Sequence, residues 1–149
     1  MIASNVMTKD PITMLESGKV VDAIKLFRST KFHTIPIVDK EYRPVGYISA
    51  LGILHTAVPG YANASLLAAM ESGPDIGSVY KNLEKIMDRS IADVMNRDIH
   101  PVDGNTPTSA VAAMLTNLHH ATSTVFVVED SGKLIGIISA MDIVSRSQS

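Results

Sequence analysis

The chain has 149 residues, 46% of them hydrophobic, with 13 basic and 15 acidic side chains giving a net charge of −2. That near balance disfavours a nucleic-acid backbone as main partner, since phosphate binders carry a basic excess. The complete lack of cysteine removes disulfides, thiolate zinc sites and cysteine nucleophiles. No apolar run approaches a membrane span, and the start "MIASNVMTKD" lacks the basic-then-apolar layout of a signal peptide. A soluble, cytoplasmic protein is expected.

In chain order, "NVMTKDPIT" at 5–13 predicts an extended opening. "VVDAIKLFRST" at 20–30 places Val20, Ala23, Ile24, Leu26 and Phe27 at helical spacing. "IPIVD" at 35–39 predicts a buried strand, "KEYRP" a turn, and "VGYIS" a second strand. "ALGILHTA" from residue 50 predicts a helix, which Pro59 and Gly60 break. Between 57 and 90, "LLAAMES" is helical in composition. "SVYKNLEKIMDRS" sets Val79, Tyr80, Leu83, Ile86 and Met87 on one helical face. This connector either packs its apolar side on the body or a dimer seam, or serves as an effector-binding flap.

The same series then returns. "DVMNRDIHP" at 93–101 echoes the opening, and "TSAVAAMLTNL" at 108–118 echoes the helix. "VFVVE" at 125–129 and "IGIIS" repeat the strands around the turn "DSGK", and "AMDIVSRS" repeats the closing helix. Each copy is too small to bury its apolar faces well alone, so the two are expected to pack face to face. The two closing phrases, "GYISALGI" and "GIISAMDI", differ at the seventh place: Gly52 in one, Asp142 in the other.

Ser139 and Asp142 have the spacing of a helix cap, with the acid at the positive end of the helix dipole. The same groups suit a ligand: a hydroxyl can donate to phosphate, and an ionised carboxylate can accept two hydrogens from a vicinal diol. The two roles can coexist. The histidines His33, His55, His100, His119 and His120 show no ligating spacing, and no metal site is expected. Ser49 and Ser139 lack a nucleophile elbow, and no Gly-rich phosphate loop is present, so no enzyme is expected. The methionines, Met70, Met87 and Met114 among them, are expected to fill gaps in the core.

The doubled order of "VM" opening, "IPIVD" or "VFVVED" strand and Gly-x-Ile-Ser close resembles a tandem pair of CBS domains (cystathionine-β-synthase-type repeats), a Bateman module. The resemblance implies an α+β fold of two β-α-β-β-α repeats packed through their sheets with pseudo-two-fold symmetry. The repeats would span residues 1–58 and 91–149, with a helical connector at 59–90. It further implies a regulatory module without catalysis or a required cofactor, forming a homodimer and signalling to an unknown partner protein. Its ligand would be AMP, ADP, ATP or S-adenosylmethionine, held between the repeats.

By that resemblance, Ile12 and Thr13 would meet the adenine edge in the cleft closed by Asp142. Phe32, His33 and Thr34 would line the base pocket, with Pro36 shaping its wall. Ser123 and Thr124 would face the phosphates, while Ser139 and Asp142 hold phosphate and ribose. Neither Arg nor Lys stands beside Ser123 and Thr124, which argues against tight triphosphate binding; His119 and His120 are weak substitutes. The other cleft would be closed by Ser49, with His100 and Pro101 opposite. Gly52 there offers ribose no carboxylate, a loss of about 1.5–3 kcal/mol or roughly ten- to hundredfold in affinity. That cleft is expected to be weak, empty or adapted to another ligand. The competing expectation is a scaffold that dimerises or docks a partner and binds no small molecule. With no output domain in the chain, either kind of module would act on a separate protein.

Overall fold

The computed structural model describes residues 1–58, 76–117 and 124–148. The first part of the connector, His119, His120 and Ser123 lie outside the described residues.

The first repeat contains β2 (Met14–Leu15), α2 (Val20–Ser29), β3 (Thr34–Val38), β4 (Pro44–Ser49) and α3 (Ala50–Ala57). The second contains β5 (Val102–Asp103), α5 (Thr108–Thr116), β6 (Thr124–Val128), β7 (Leu134–Ser139) and α6 (Ala140–Val144). Before the first repeat stand α1 (Ala3–Val6) and β1 (Thr8–Lys9). Between the repeats come α4 (Ile76–Ile86) and a 3₁₀ turn at Ile91–Asp93.

The duplication predicted from sequence is present strand for strand. β3 pairs antiparallel with β4, and β6 with β7, each with a register shift one residue from the strand's end. β2 lies parallel to β3, and β5 parallel to β6. Proline in a three-stranded sheet's central strand would normally forfeit a ladder bond. Pro36 is tolerated because β2 pairs only with Ile37 and Val38, leaving that side of Pro36 without a strand neighbour.

Alternation along the strands decides what each repeat buries. Ile35, Ile37 and Ile48 face Val20, Ala23 and Ile53 of their own repeat's helices. Val125, Val127 and Ile138 do the same with Val111. The opposite faces supply Val38, Phe126, Leu134 and Ile137, with Tyr47 and Ile99 against them, and this cluster joins the two sheets. Strands buried on both faces read as unbroken apolar runs, which is why "IPIV" and "VFVV" carry no polar alternation.

α2 owes its position to Val20 and Ala23 on its buried side, Asp22 in its first turn and Arg28 in its last, charges that suit the helix dipole. α4, in the connector, lays Leu83 and Ile86 on the first repeat's core, and its Val79 is also buried. Its Asn82 Nδ2 donates to the carbonyl of Ala57 at 2.8 Å, closing the end of α3.

One feature departs from a simple pair of self-contained repeats: the openings are exchanged. β1 precedes the first repeat but pairs with β7 of the second, Thr8 opposite Ile137 and Lys9 opposite Gly136. Ala3 and Val6 of α1 lie in the second repeat's core. Conversely, Ile91 and Ile86 sit in the first repeat's core, and Asn96 bridges to Tyr47 of β4. Backbone bonds repeat the exchange: Ala3 N–H donates to Thr106 O, and Ile91 N–H to Gly18 O, both at 2.8 Å.

Candidate functional site

Two clefts follow from this exchange, one at each junction between a closing strand and the other repeat's opening. At the first, β7 ends in Ser139, and Asp142 falls in the first turn of α6. Asp142 Oδ2 accepts from the Ser139 N–H at 2.7 Å and from Ser139 Oγ at 3.1 Å. Its Oδ1 accepts from Thr8 Oγ1 at 3.2 Å. The carboxylate therefore caps its own helix and also clasps the opening segment of the first repeat. The cap lies at a junction of the two repeats. Carboxylate oxygens offer about four acceptor positions together, and three hydrogen bonds already converge on this half-buried group.

Thr8 was absent from the sequence-derived set. The signal that could have found it is covariation inside the chain. Thr8 and Asn96 occupy equivalent places in "VMTKD" and "VMNRD", and they change together with Asp142 and Gly52.

Ile12, Phe32 and Thr34 line, with Ile137 of β7, a small cavity of about 10 Å³ whose lining includes neither Ser139 nor Asp142; Ile12 and Phe32 are 38% and 43% exposed. Thr13 lies elsewhere, with Met14, Leu15 and Tyr42 on an open depression beside the β3–β4 turn. Pro36 is fully buried within β3, paired opposite Tyr47 of β4.

The second junction is more spacious. Ser49 caps α3 by accepting from the Gly52 N–H at 2.9 Å. With Gly52, His33, Thr34, His55 and Asn96 it lines a cavity of about 680 Å³. A neighbouring cavity of about 350 Å³ is lined by His100, Ile99, Met114, Thr124 and Phe126, and Tyr47 belongs to both. Pro101 is exposed and is not part of that lining. So Thr34 lines both the small cavity with Ile12 and Phe32 and the larger one with Gly52; His33, assigned by resemblance to the Asp142 cleft, lines the larger one, and Thr124, assigned likewise, lines its neighbour with His100.

Charge near the second cleft is set back from its wall. His100 Nε2 lies 3.0 Å from Asp98 Oδ1. Burial, and then the charge of Asp98, pushes the Tyr47 phenol above its ordinary pKa, so it is neutral at physiological pH. Among the described residues there is no group of three or more His, Cys, Asp or Glu able to hold a metal ion. No helix among them is long and apolar enough to cross a membrane.

Comparison with known proteins accords with this architecture. The chain is 25% identical to an uncharacterized protein of Methanocaldococcus jannaschii, MJ1426, over 97% of this chain and 89% of that one. In structure it is similar to the CBS-pair protein CBSX2 from Arabidopsis thaliana, with TM-score 0.78 and 21% identity over 99% and 94% of the two chains. A structure of CBSX2 in complex with AMP matches with TM-score 0.70 and 23% identity, covering 99% and 96%. The CBS domain pair of MJ0100, in complex with 5′-methylthioadenosine and S-adenosyl-L-methionine, matches with TM-score 0.69 and 20% identity, covering 99% and 96%. At these identities the structural likenesses establish the fold. The CBS-domain family model matches residues 3–58 and again 91–149, and the chain therefore belongs to the CBS-domain family as a tandem pair.

Proposed function

We propose that this CBS pair is a regulatory module, not an enzyme, that binds an adenosine-containing ligand between its repeats and signals its presence to a partner protein. The candidates are AMP, ADP, ATP and S-adenosylmethionine. The reading is carried by one observation: Asp142, a carboxylate in the first turn of a helix, stands where both repeats meet and is contacted from each. Support comes from two structural neighbours, one complexed with AMP and the other with methylthioadenosine and S-adenosyl-L-methionine. In this reading residues 1–58 and 91–149 are the ligand-sharing repeats, 59–90 is the connector, and the module works in the cytoplasm. Ile12 and Phe32 face the base, with Thr34 beside them. Ser139 and Asp142 meet the sugar–phosphate part. The ribose diol takes over an acceptor position that Thr8 holds in the free protein. Ligand shifts the junction only by binding its opened state better than its closed one.

A scaffold that binds no small molecule is the second reading. It is favoured by the small size, about 10 Å³, of the cavity lined by Ile12, Phe32 and Thr34, which the adenosine reading assigns to the base. Exposed apolar residues on the closing helices also favour it, Leu51 at 76%, Met141 at 69% and Val144 at 61%. Under either reading these faces meet in a homodimer.

Calorimetric titration of the four ligands into wild type and Asp142→Asn separates the two. The sensor reading expects one of them to bind wild type, and the variant to bind about ten- to hundredfold more weakly. The variant's unliganded melting temperature should change little, because asparagine keeps an oxygen for the Ser139 N–H. No binding by wild type, with a dimer seen by native mass spectrometry, would leave the scaffold.

A further inference from the structure

The Asp142 carboxylate is nearly full before any ligand arrives. A carboxylate has about four acceptor positions, two on each oxygen. Oδ2 accepts from the Ser139 N–H at 2.7 Å and from Ser139 Oγ at 3.1 Å. Oδ1 accepts from Thr8 Oγ1 at 3.2 Å, which leaves it a single position. A vicinal diol brings a pair of O–H donors. One finds the open position, and the other finds Thr8 already in place.

Of these bonds, Thr8's is the one that can yield. An O–H donor on a carboxylate normally sits at about 2.5–2.7 Å, so a contact of 3.2 Å is long. Thr8 is exposed, and its hydroxyl can turn to water. The bonds to Ser139, by contrast, hold the first turn of α6. The strand that carries Thr8 is fixed: β1 pairs with β7 at Thr8 and Lys9, and Val6 just before it is buried. The hydroxyl therefore stands beside the carboxylate whenever no better donor replaces it. At the equivalent place of the second repeat, where the acid is missing, Asn96 Oδ1 accepts from the Asp98 N–H instead.

We infer that Thr8 is an internal competitor for the ligand's sugar, a residue that weakens the Asp142 site and so sets its affinity. The diol comes from the adenosine reading above; the competition comes from the Thr8–Asp142 contact. Removing this hydroxyl should tighten binding, the reverse of deleting an ordinary polar residue from a site. The gain should be confined to ligands that present both sugar hydroxyls.

The test is calorimetric titration of the full chain, as wild type, Thr8→Val and Thr8→Ser, with AMP, S-adenosylmethionine and 2′-deoxy-AMP. Valine keeps the β-branched shape that suits a strand. Thr8→Val should bind AMP or S-adenosylmethionine about two- to tenfold more tightly than wild type, the net worth of one hydrogen bond. Its affinity for 2′-deoxy-AMP, which has only one sugar hydroxyl, should stay near that of wild type. Thr8→Ser, which restores the hydroxyl, should return the affinity toward wild type. A Thr8→Val protein that binds the diol ligands equally well or more weakly makes Thr8 a support of the site, and overturns this inference alone. So does an equal gain for 2′-deoxy-AMP, because the effect would not pass through the second hydroxyl. If wild type and Thr8→Val bind none of the three ligands, the adenosine reading falls and this one with it.

Discussion

Gly46 and Gly136 hold equivalent places in the two repeats, yet an added methyl would meet different obstacles. At Gly46 a Cβ lies 2.5 Å from the carbonyl oxygen of Asn96, which is backbone and tied to Tyr47. At Gly136 the nearest atom is Met7 Sδ, also at 2.5 Å, a flexible end, with Thr8 O at 3.0 Å behind it. Gly46→Ala should therefore cost about 2–3 kcal/mol and Gly136→Ala about 1–2 kcal/mol, within the range for overpacked sites, as checked by urea unfolding. The repeated glycine was visible in the sequence, but its reason was not, because the crossing strand comes from the far half of the chain. Asp39 supplies a pH-dependent contact at the β3–β4 turn. Its Oδ1 accepts from the N–H groups of Glu41 and Arg43, both at 2.9 Å, and Arg43 Nε reaches Oδ2 at 3.0 Å. The Arg43 N–H foremost, helped by the guanidinium charge, holds the Asp39 carboxyl below its ordinary pKa. A depressed folded pKa means that this stabilisation is present above about pH 4 and is lost as pH falls through the folded value. Acid unfolding followed by circular dichroism should show Asp39→Asn less stable than wild type at pH 6, with the gap closing below pH 4.

Exchanged openings make the first nine residues a structural part of the second repeat. Ala3 is fully buried and Val6 nearly so, both against Val111, Val125, Val127 and Ile138. Arg146 from the turn after α6 donates to the Asn5 carbonyl, fastening α1 from the other side. Val6→Ala should cost about 1.5–3 kcal/mol, the worth of a buried valine side chain. Deleting residues 1–9 should remove hydrogen-exchange protection from β7 and β6 sooner than from β3 and β4, although the deletion lies next to the first repeat in sequence. Equal loss in both repeats would contradict the exchange. Helices α2 and α5 and strands β3, β4, β6 and β7 could be anticipated within a residue or two, because their periodicity is long enough to register. α1 and β1 could not: four helical and two strand residues carry no period, and their partners are a hundred residues away. The same distance hid Thr8, which touches Asp142 across 134 positions, whereas Ser139 and Asp142 declare their contact by spacing alone.

At the scale of the molecule, the duplication produces one body whose halves each lack a piece held by the other. The first repeat needs Ile86 and Ile91 to close its core, and it exchanges backbone bonds with the stretch around them: Ala92 N–H donates to Glu16 O and Ile91 N–H to Gly18 O, while Val20 N–H donates to Arg89 O and Val21 N–H to Met87 O. The second needs Ala3 and Val6, and its α5 begins with the Thr108 N–H donating to Met1 O. A third cluster, Val38, Phe126, Leu134 and Ile137, exists only where the sheets meet, and Leu134 N–H donates across that seam to Tyr42 O at 2.9 Å. A fragment ending at residue 58 would carry an opening segment with nothing to pair with and expose half of that seam. A fragment starting at 91 would bring the segment its partner requires and lack its own. Units this small are marginal even when complete, so neither fragment should fold alone at micromolar concentration. Mixed in equal amounts, they should regain dispersed methyl signals for Ile37 and Val127, since each supplies the other's opening. Ile86 is missing from both pieces, so a reconstituted pair should be weaker than the intact chain, and a first fragment completed with residues 76–90 through a linker should bind the second more tightly. Two fragments that each gave a cooperative thermal transition as monomers would show the repeats to be independent domains that merely touch, and the shared cleft at Asp142 would then have no structural basis.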